Sequence, residues 1–540
     1  MSPLRHRATY RPGRDPRAVF HPAPPPAHPA EGQDAARRVV VVGGGIAGIS
    51  AAVALAERGV DVTVLEREAQ LGGRVRSWDI TLPDGSASRM SRGFHAFFRQ
   101  YYNLRALLRR ADPTLSALRP LEDYPLARAD GPGDSFAGIP RTPPLNLAAF
   151  VARSPSFTAA DLARVDLDQA LGLLDLEFPR SFHDLDGVSA SEVLDRLRFP
   201  AGARDLALEV FARSFFADPK EFSGAELLAM FHLYFVGSAE GLLFDVPRDD
   251  YDRTLWAPLG RYLHEQGGRV RVGASVTGVT EGDDGGLRVH VGEETLEADA
   301  VVLALDPPSL RDVVAASPAL GDADWRARVG GVRSAPAFAV GRLWLDGPVR
   351  GDRPPFLGTS GFGPLDNVSV LERFEDHATT WSREHGGSVV EVHAYALPAG
   401  YDEPQVRRDL LAALHAVYPE TRDLTAVHEE WLVKADCVLV GTEDWGSRPG
   451  VATPDPRVVL AGDAVRCDLP VALMERAATT GVQAADLLLT GWGLTGHGVW
   501  SVPMASPLRG VTGPARRGVR AARRVLGSQS RAAASRRRSR

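Results

Sequence analysis

The stretch VVVVGGGIAGISAAVALAERGVDVTVLERE, Val39 to Glu68, limits the fold more than any other part of the chain. Residues 39–56 carry no charge over eighteen positions, the lower limit for a helix that spans a bilayer. Three successive glycines, Gly43 to Gly45, argue against one continuous helix there. The valine run suits a buried parallel strand, and Gly43, Gly45 and Gly48 form GxGxxG at the mouth of a helix expected to end near Gly59. VDVTVLE follows as a second strand. The stretch is therefore a βαβ unit, the opening of an α/β nucleotide-binding fold.

The length of 540 residues, 44% apolar and 24% charged, leaves room for two or more domains around a large core. The net charge of -6 conceals a segregation: residues 511–540 hold ten arginines and no acid, so the rest of the chain carries about -16. Cys437 and Cys467 are far apart and form no CxxC, which suggests neither a disulfide framework nor a zinc site; no metal is expected, and a reducing cytoplasm fits best. Residues 1–36 are rich in Pro and Arg without the apolar core of a secretory signal, and are expected to be a disordered leader.

The domain plan is discontinuous. Segments 37–110, 240–310 and 440–495 are expected to form the nucleotide-binding domain, and 111–239 with 311–439 an inserted α+β substrate domain. Residues 496–540 are expected to be a disordered basic tail. Capping boxes are expected at Ser189 with Glu192 and at Ser223 with Glu226, the latter before LLAMFHLYFV, a helix apolar on nearly every face and so buried or facing something oily. AFAVGRLWLDG and SVVEVHAYAL read as strands of the second domain, with a helix at PQVRRDLLAALHAVYPE.

The glycines let backbone N–H groups approach a pyrophosphate at the positive end of a helix, and Glu66, ending the second strand, can accept hydrogen bonds from a ribose. An acid there disfavours the 2′-phosphate of NADP. Two further pieces favour FAD: GGR, Gly72 to Arg74, just beyond Glu66, and Gly462-Asp463 after a late buried strand. Asp463 is placed to hold the ribityl hydroxyls, and a helix beginning near Pro470 to aim its N–H groups at the electron-rich end of the flavin ring.

From about Arg37 to Thr490 the chain resembles the flavin amine oxidase and phytoene desaturase superfamily, and RGFHAFFRQYYNLRALLRRADP and ALMERAATTGVQAAD resemble its isorenieratene synthase group. The resemblance implies a Rossmann-type FAD domain with an inserted substrate domain, and non-covalent FAD touched by Gly43, Gly45, Ala47, Gly48, Glu66, Arg67, Gly73, Arg74, Val276, Gly462, Asp463 and Met474. It also implies the chemistry: a β-ring of β-carotene becomes aromatic by two desaturations and a methyl shift, through a cation that needs a dry pocket with ring faces. Aromatic candidates are Phe94, Phe97, Phe98, Tyr101, Tyr102, Phe231, Tyr234 and Phe235, residue types that a packed core uses equally; the choice falls on Phe94. His95 and Glu475 are the candidates for proton removal. Cys437 lacks the flanking glycines and tyrosine of a covalent flavin site.

A bilayer-dwelling substrate implies peripheral attachment. The arginine-rich tail could meet anionic lipid and PPLNLAAFVARSPSF could dip into the interface, with quinone or oxygen as final electron acceptor and no role for nucleic acid. Rival readings are a carotene desaturase or isomerase without methyl migration, an amine oxidase, and a non-enzymatic prenyl-binding escort protein of the dissociation-inhibitor fold.

Overall fold

Val39 to Val42 lie at the centre of a five-stranded parallel sheet with strand order Arg269–Arg271, Asp61–Leu65, Arg38–Val42, Ala300–Leu303, Val458–Leu460. Both faces of such a sheet are covered, which is why its central strands are almost purely aliphatic. This computed structural model describes residues 15–26, 37–156, 165–198, 204, 215–283, 285–510 and 512–519. On one face the helix Ile46–Ala56, fully buried, packs against the helix Leu473–Gly491. Gly481 makes that approach possible: a Cβ there would stand 2.3 Å from the Ala47 carbonyl oxygen. The antiparallel strands Val276–Glu281, Leu287–Val291 and Glu294–Ala298 share a core with the other face, through Val279, Leu287 and Val289.

The second sheet has seven strands, in the order Ala426–Lys434, Phe338–Leu345, Ser388–Ala394, Asn367–Val370, Phe356–Ser360, Leu126–Arg128, Gly131–Asp134. Its pairings are antiparallel except between Phe356–Ser360 and Leu126–Arg128. The helix Glu403–Val417 covers one face, setting Leu410 and Leu414 against Leu343, Val390 and Val392. The other face looks back towards the first sheet. Between the sheets' segments lies the helical part, where Gly224–Phe231 runs into a wider turn, His232–Val236, with nearly every residue buried.

Three expectations need correction. Part of the leader is folded: Val19–His21 pairs antiparallel with Val499–Ser501, and buried Asp15 accepts hydrogen bonds from the Tyr102 and Ser238 hydroxyls. That pairing also removes the start of the tail from the disordered class. Residues 502–510 and 512–519 are docked as well, because Arg509 pairs with Glu177, and Arg516 with Asp168 and Asp175. The remainder of both ends, 1–14, 27–36 and 520–540, lies outside the described residues. Finally, Ser189 and Glu192 complete a reciprocal capping box, whereas Ser223 caps alone, since the Glu226 carboxylate is taken by Arg448 and Arg476.

Candidate functional site

A cavity of about 460 Å³ runs from the glycine turn, past Arg74 and Met474, to the open face of the seven-stranded sheet. At its glycine end Gly43 has φ of +107°, and a Cβ there would meet the Ala304 carbonyl oxygen at 2.3 Å. Gly45 faces Gly73, so two glycines from separate segments leave bare backbone on opposite sides of one cleft. Gly43, Gly45, Ala47 and Gly73 line the space; Gly48 does not. A Cβ on Gly48 would lie 1.8 Å from the Gly43 carbonyl oxygen, so this glycine lets the helix close on the strand and acts on the cavity only through that packing.

The Glu66 carboxylate is 5% exposed and already oriented, one oxygen accepting from the Gly44 N–H at 2.7 Å and the other from the Glu68 N–H at 2.9 Å. A carboxylate has further lone pairs, and these are left to face hydroxyl donors. Arg67 closes the rim by donating to Asp306 and Ser309, and Val276 lines the wall beside Ala274 and Ser275. The helix Ile46–Ala56 starts at Gly45 with no side chain capping it, so its N-terminal dipole faces the cleft. Paired glycines, an uncapped helix start and a fixed acid fit a dinucleotide.

Farther in, Arg74 and Asp463 form an ion pair in the wall. Thr480 fixes the Gly462-Asp463 turn, its hydroxyl bridging the Gly462 N–H at 2.9 Å and carbonyl at 3.0 Å. The helix expected from Pro470 begins three residues later, at Leu473, and presents Leu473, Met474 and Ala477 to the cavity from an end without a side-chain cap. Two wall residues had no assigned role from the sequence: Arg92 and Asp436, joined by bonds of 2.6 and 2.9 Å. Burial pushes the neighbouring Cys437 thiol up to about 11, so it stays protonated near neutral pH.

The end beside the seven-stranded sheet is aromatic. Phe94 stacks on Phe356 with ring centroids 4.3 Å apart and meets Phe244 and Phe374 edge-on. Phe98, Tyr101 and Tyr234 also line it, while Phe97, Tyr102, Phe231 and Phe235 are packing residues behind the wall. His95 holds the Gly93 carbonyl through Nδ1 at 2.8 Å, which places the proton on Nδ1 and the lone pair on Nε2. Burial draws its pKa down to about 4, so the ring is neutral.

Glu475 is not in the lining. Its oxygens accept from the Asn103 N–H at 2.8 Å, the Asn103 side-chain amide and the Leu104 N–H at 3.0 Å, which caps the helix Tyr102–Ala111 from another segment. Burial outweighs those donors and pushes its carboxyl up to about 8. The residue expected to remove protons is thus a strut between two helices. On the sheet wall the sequence reading missed Tyr124, Phe356, Asn367, His393 and Tyr395. The alternation E-V-H-A-Y, Glu391 to Tyr395, with aliphatic residues on the other face, was the available signal.

The chain matches the family of flavin containing amine oxidoreductases over residues 46–489. It is 55% identical over 498 residues to a carotenoid phi-ring synthase of Streptomyces griseus, covering 92% of this chain and 96% of the relative. A zeta-carotene desaturase of Synechocystis sp. is 25% identical over 84% of this chain and 97% of its own. Among solved structures, a putrescine oxidase double mutant superposes with a TM-score of 0.61 at 18% identity, over 84% of this chain and 99% of the other. An oxidoreductase from Methanosarcina mazei gives 0.58 at 16%, over 82% and 98%; these two speak for the fold. The glycine cleft, the parallel sheet and the match across most of the chain agree, and the chain belongs to the flavin containing amine oxidoreductase family.

Proposed function

We propose that this chain is an FAD-dependent oxidoreductase of carotenoid biosynthesis that aromatises the β-ionone rings of β-carotene by desaturation with a 1,2-methyl shift, giving isorenieratene. The observation that carries the reading is its 55% identity to a carotenoid phi-ring synthase over nearly the whole of both chains. The cavity supports it, because a hydrocarbon ring needs apolar walls and a ring cation needs aromatic faces and few nucleophiles. FAD, bound non-covalently between the glycine cleft and Met474, supplies the hydride acceptor. Phe94 offers its π face to the cationic ring, and His95 Nε2, unprotonated near pH 7, accepts a proton.

The polyene reaches the cavity from a membrane surface in this proposal, with the protein attached peripherally in the cytoplasm and quinone or oxygen as final acceptor. Among the described residues no helix is long and apolar enough to cross a membrane. The helix Leu145–Arg153 exposes 60% of Leu145, while its Phe150 stacks on Phe136 of the cavity wall at 4.9 Å, so one short element joins surface and cavity.

Expression in a β-carotene-accumulating host, with mass and absorption analysis of the pigments, tests the reading. Products of unchanged carbon number with aromatic end rings are expected. Desaturated or isomerised carotenes lacking aromatic rings would favour the desaturase reading instead, to which the likeness to zeta-carotene desaturase lends weight.

A further inference from the structure

Strand Ser388–Ala394 carries Glu391 and His393 on one face, and Tyr395 continues the same alternation at its end. Val390, Val392 and Ala394 fill the core behind. A row of polar groups on a buried strand is costly unless each is satisfied, and here the satisfaction is directional. Arg342, directly across on Phe338–Leu345, donates twice to one oxygen of Glu391, at 2.7 and 3.0 Å. The other oxygen of Glu391 contacts His393 Nε2 at 2.8 Å. Burial alone would raise the Glu391 carboxyl, but Arg342 and His393 hold it at about 2, so it is anionic and only accepts. Nε2 therefore carries the proton; the Phe94 N–H, 3.4 Å away, is the weaker claimant to that nitrogen.

His393 Nδ1 is then an acceptor, and it stands 2.8 Å from the Tyr395 hydroxyl. That hydroxyl also receives the Asn367 amide at 3.0 Å. A phenol oxygen has one proton and two lone pairs. With the proton given to His393 and one pair to Asn367, the second pair is left, and Tyr395, His393 and Asn367 all line the cavity.

We propose that Tyr395, backed by His393 and Glu391, is a second proton acceptor for ring aromatisation. This rests on the aromatisation reading. Two desaturations of one ring release two hydrides and two protons, from different ring carbons, and His95 supplies one acceptor. In the step assigned to Tyr395, a C–H bond of the ring cation breaks, its electron pair becomes a ring double bond, and the proton bonds to the Tyr395 oxygen. The original hydroxyl proton passes to His393 Nδ1. The imidazolium so formed keeps its Nε2–H bond to the Glu391 carboxylate, and Glu375, 3.8 Å from Arg342, adds a second carboxyl group to the cluster. Tyr395 is the catalytic residue; His393 and Glu391 act through it.

The test uses full-length, FAD-loaded wild type, Tyr395→Phe and His393→Ala with β-carotene in liposomes, reading flavin content, KM and product mass. Both variants are expected to keep flavin and to hold KM within about threefold, while formation of aromatic rings falls about 10²-fold or more and partly desaturated carotenes accumulate. Added imidazole should restore His393→Ala in proportion to its unprotonated concentration, which a packing role would not produce. Tyr395→Phe, which removes one oxygen only, covers the case in which His393→Ala fails to fold. Aromatic product at wild-type rate from Tyr395→Phe, or no response of a folded His393→Ala to imidazole, would overturn the proposal. Wild type that yields only non-aromatic products would overturn the aromatisation reading instead, and the same variants would then judge the relay on those products.

Discussion

Gly48 and Glu475 show why a residue named for chemistry can turn out to hold up the wall. At Gly48 the limiting contact is backbone, the Gly43 carbonyl oxygen 1.8 Å from where a Cβ would sit, and neither partner can rotate away. Gly48→Ala should therefore push the helix Ile46–Ala56 off its strand, cost about 3 kcal/mol and abolish flavin retention, read as flavin absorbance per mole of protein and as melting temperature. Glu475→Gln tests the opposite kind of case. An amide keeps the size but offers one acceptor oxygen where two are used, leaving the Leu104 N–H or the Asn103 groups facing an N–H₂. The expected result is a loss of about 1–3 kcal/mol in stability with aromatic-ring formation within about twofold of wild type. Unchanged stability with collapsed turnover would return Glu475 to the reaction.

At the scale of elements, what could be read in advance was whatever has a local cause. The valine run, the glycine spacing and the helix Ile46–Ala56 follow from backbone sterics and periodicity within thirty residues, and Gly43, Gly45, Glu66, Gly73, Arg74, Asp463 and Met474 do meet at one cavity. The sheet wall was hidden because its chemistry depends on register between distant strands: only the pairing of Arg342 with Glu391, and of Asn367 with His393, turns an unremarked alternation into a polar row. The termini were misread for a related reason. A Pro- and Arg-rich composition argues for disorder, yet three residues, Val19–His21, find a partner strand in Val499–Ser501, and Asp15 gathers the Tyr102 O–H at 2.6 Å and the Ala239 N–H at 3.1 Å. Asp15→Ala takes this acceptor from the Ser238 hydroxyl and the Ala239 N–H, and leaves the buried Tyr102 O–H only the Ser238 oxygen at 3.4 Å. Its melting temperature should fall by an amount equivalent to about 2 kcal/mol or more, and removal of residues 1–26 should do the same; no change in either would mean the N-terminal clasp contributes nothing in solution.

For the whole molecule, the way the cores are stitched together sets its response to acid. His95, His232 and His497 sit in three different places, and burial draws each down from 6.5 to about 4. Between those values the unfolded chain binds three protons that the folded protein refuses, so their contribution is complete above pH 6.5 and is lost as pH falls towards 4. Glu475 runs the other way: raised from 4.5 to about 8, it contributes fully below pH 4.5 and loses that contribution as pH rises to 8. Among these four groups three lose and one gains as pH falls, so together they act to lower the melting temperature from pH 6.5 to 4.5. His497→Gln keeps a side chain able to donate to the Ala54 carbonyl, which His497 meets at 2.8 Å, but cannot take up a proton. Its melting curve against pH should be shallower than wild type by about one proton across that window. An equal slope in the two proteins would show that His497 is protonated in the folded state, against its burial between the helix Ile46–Ala56 and the carboxy-terminal segment.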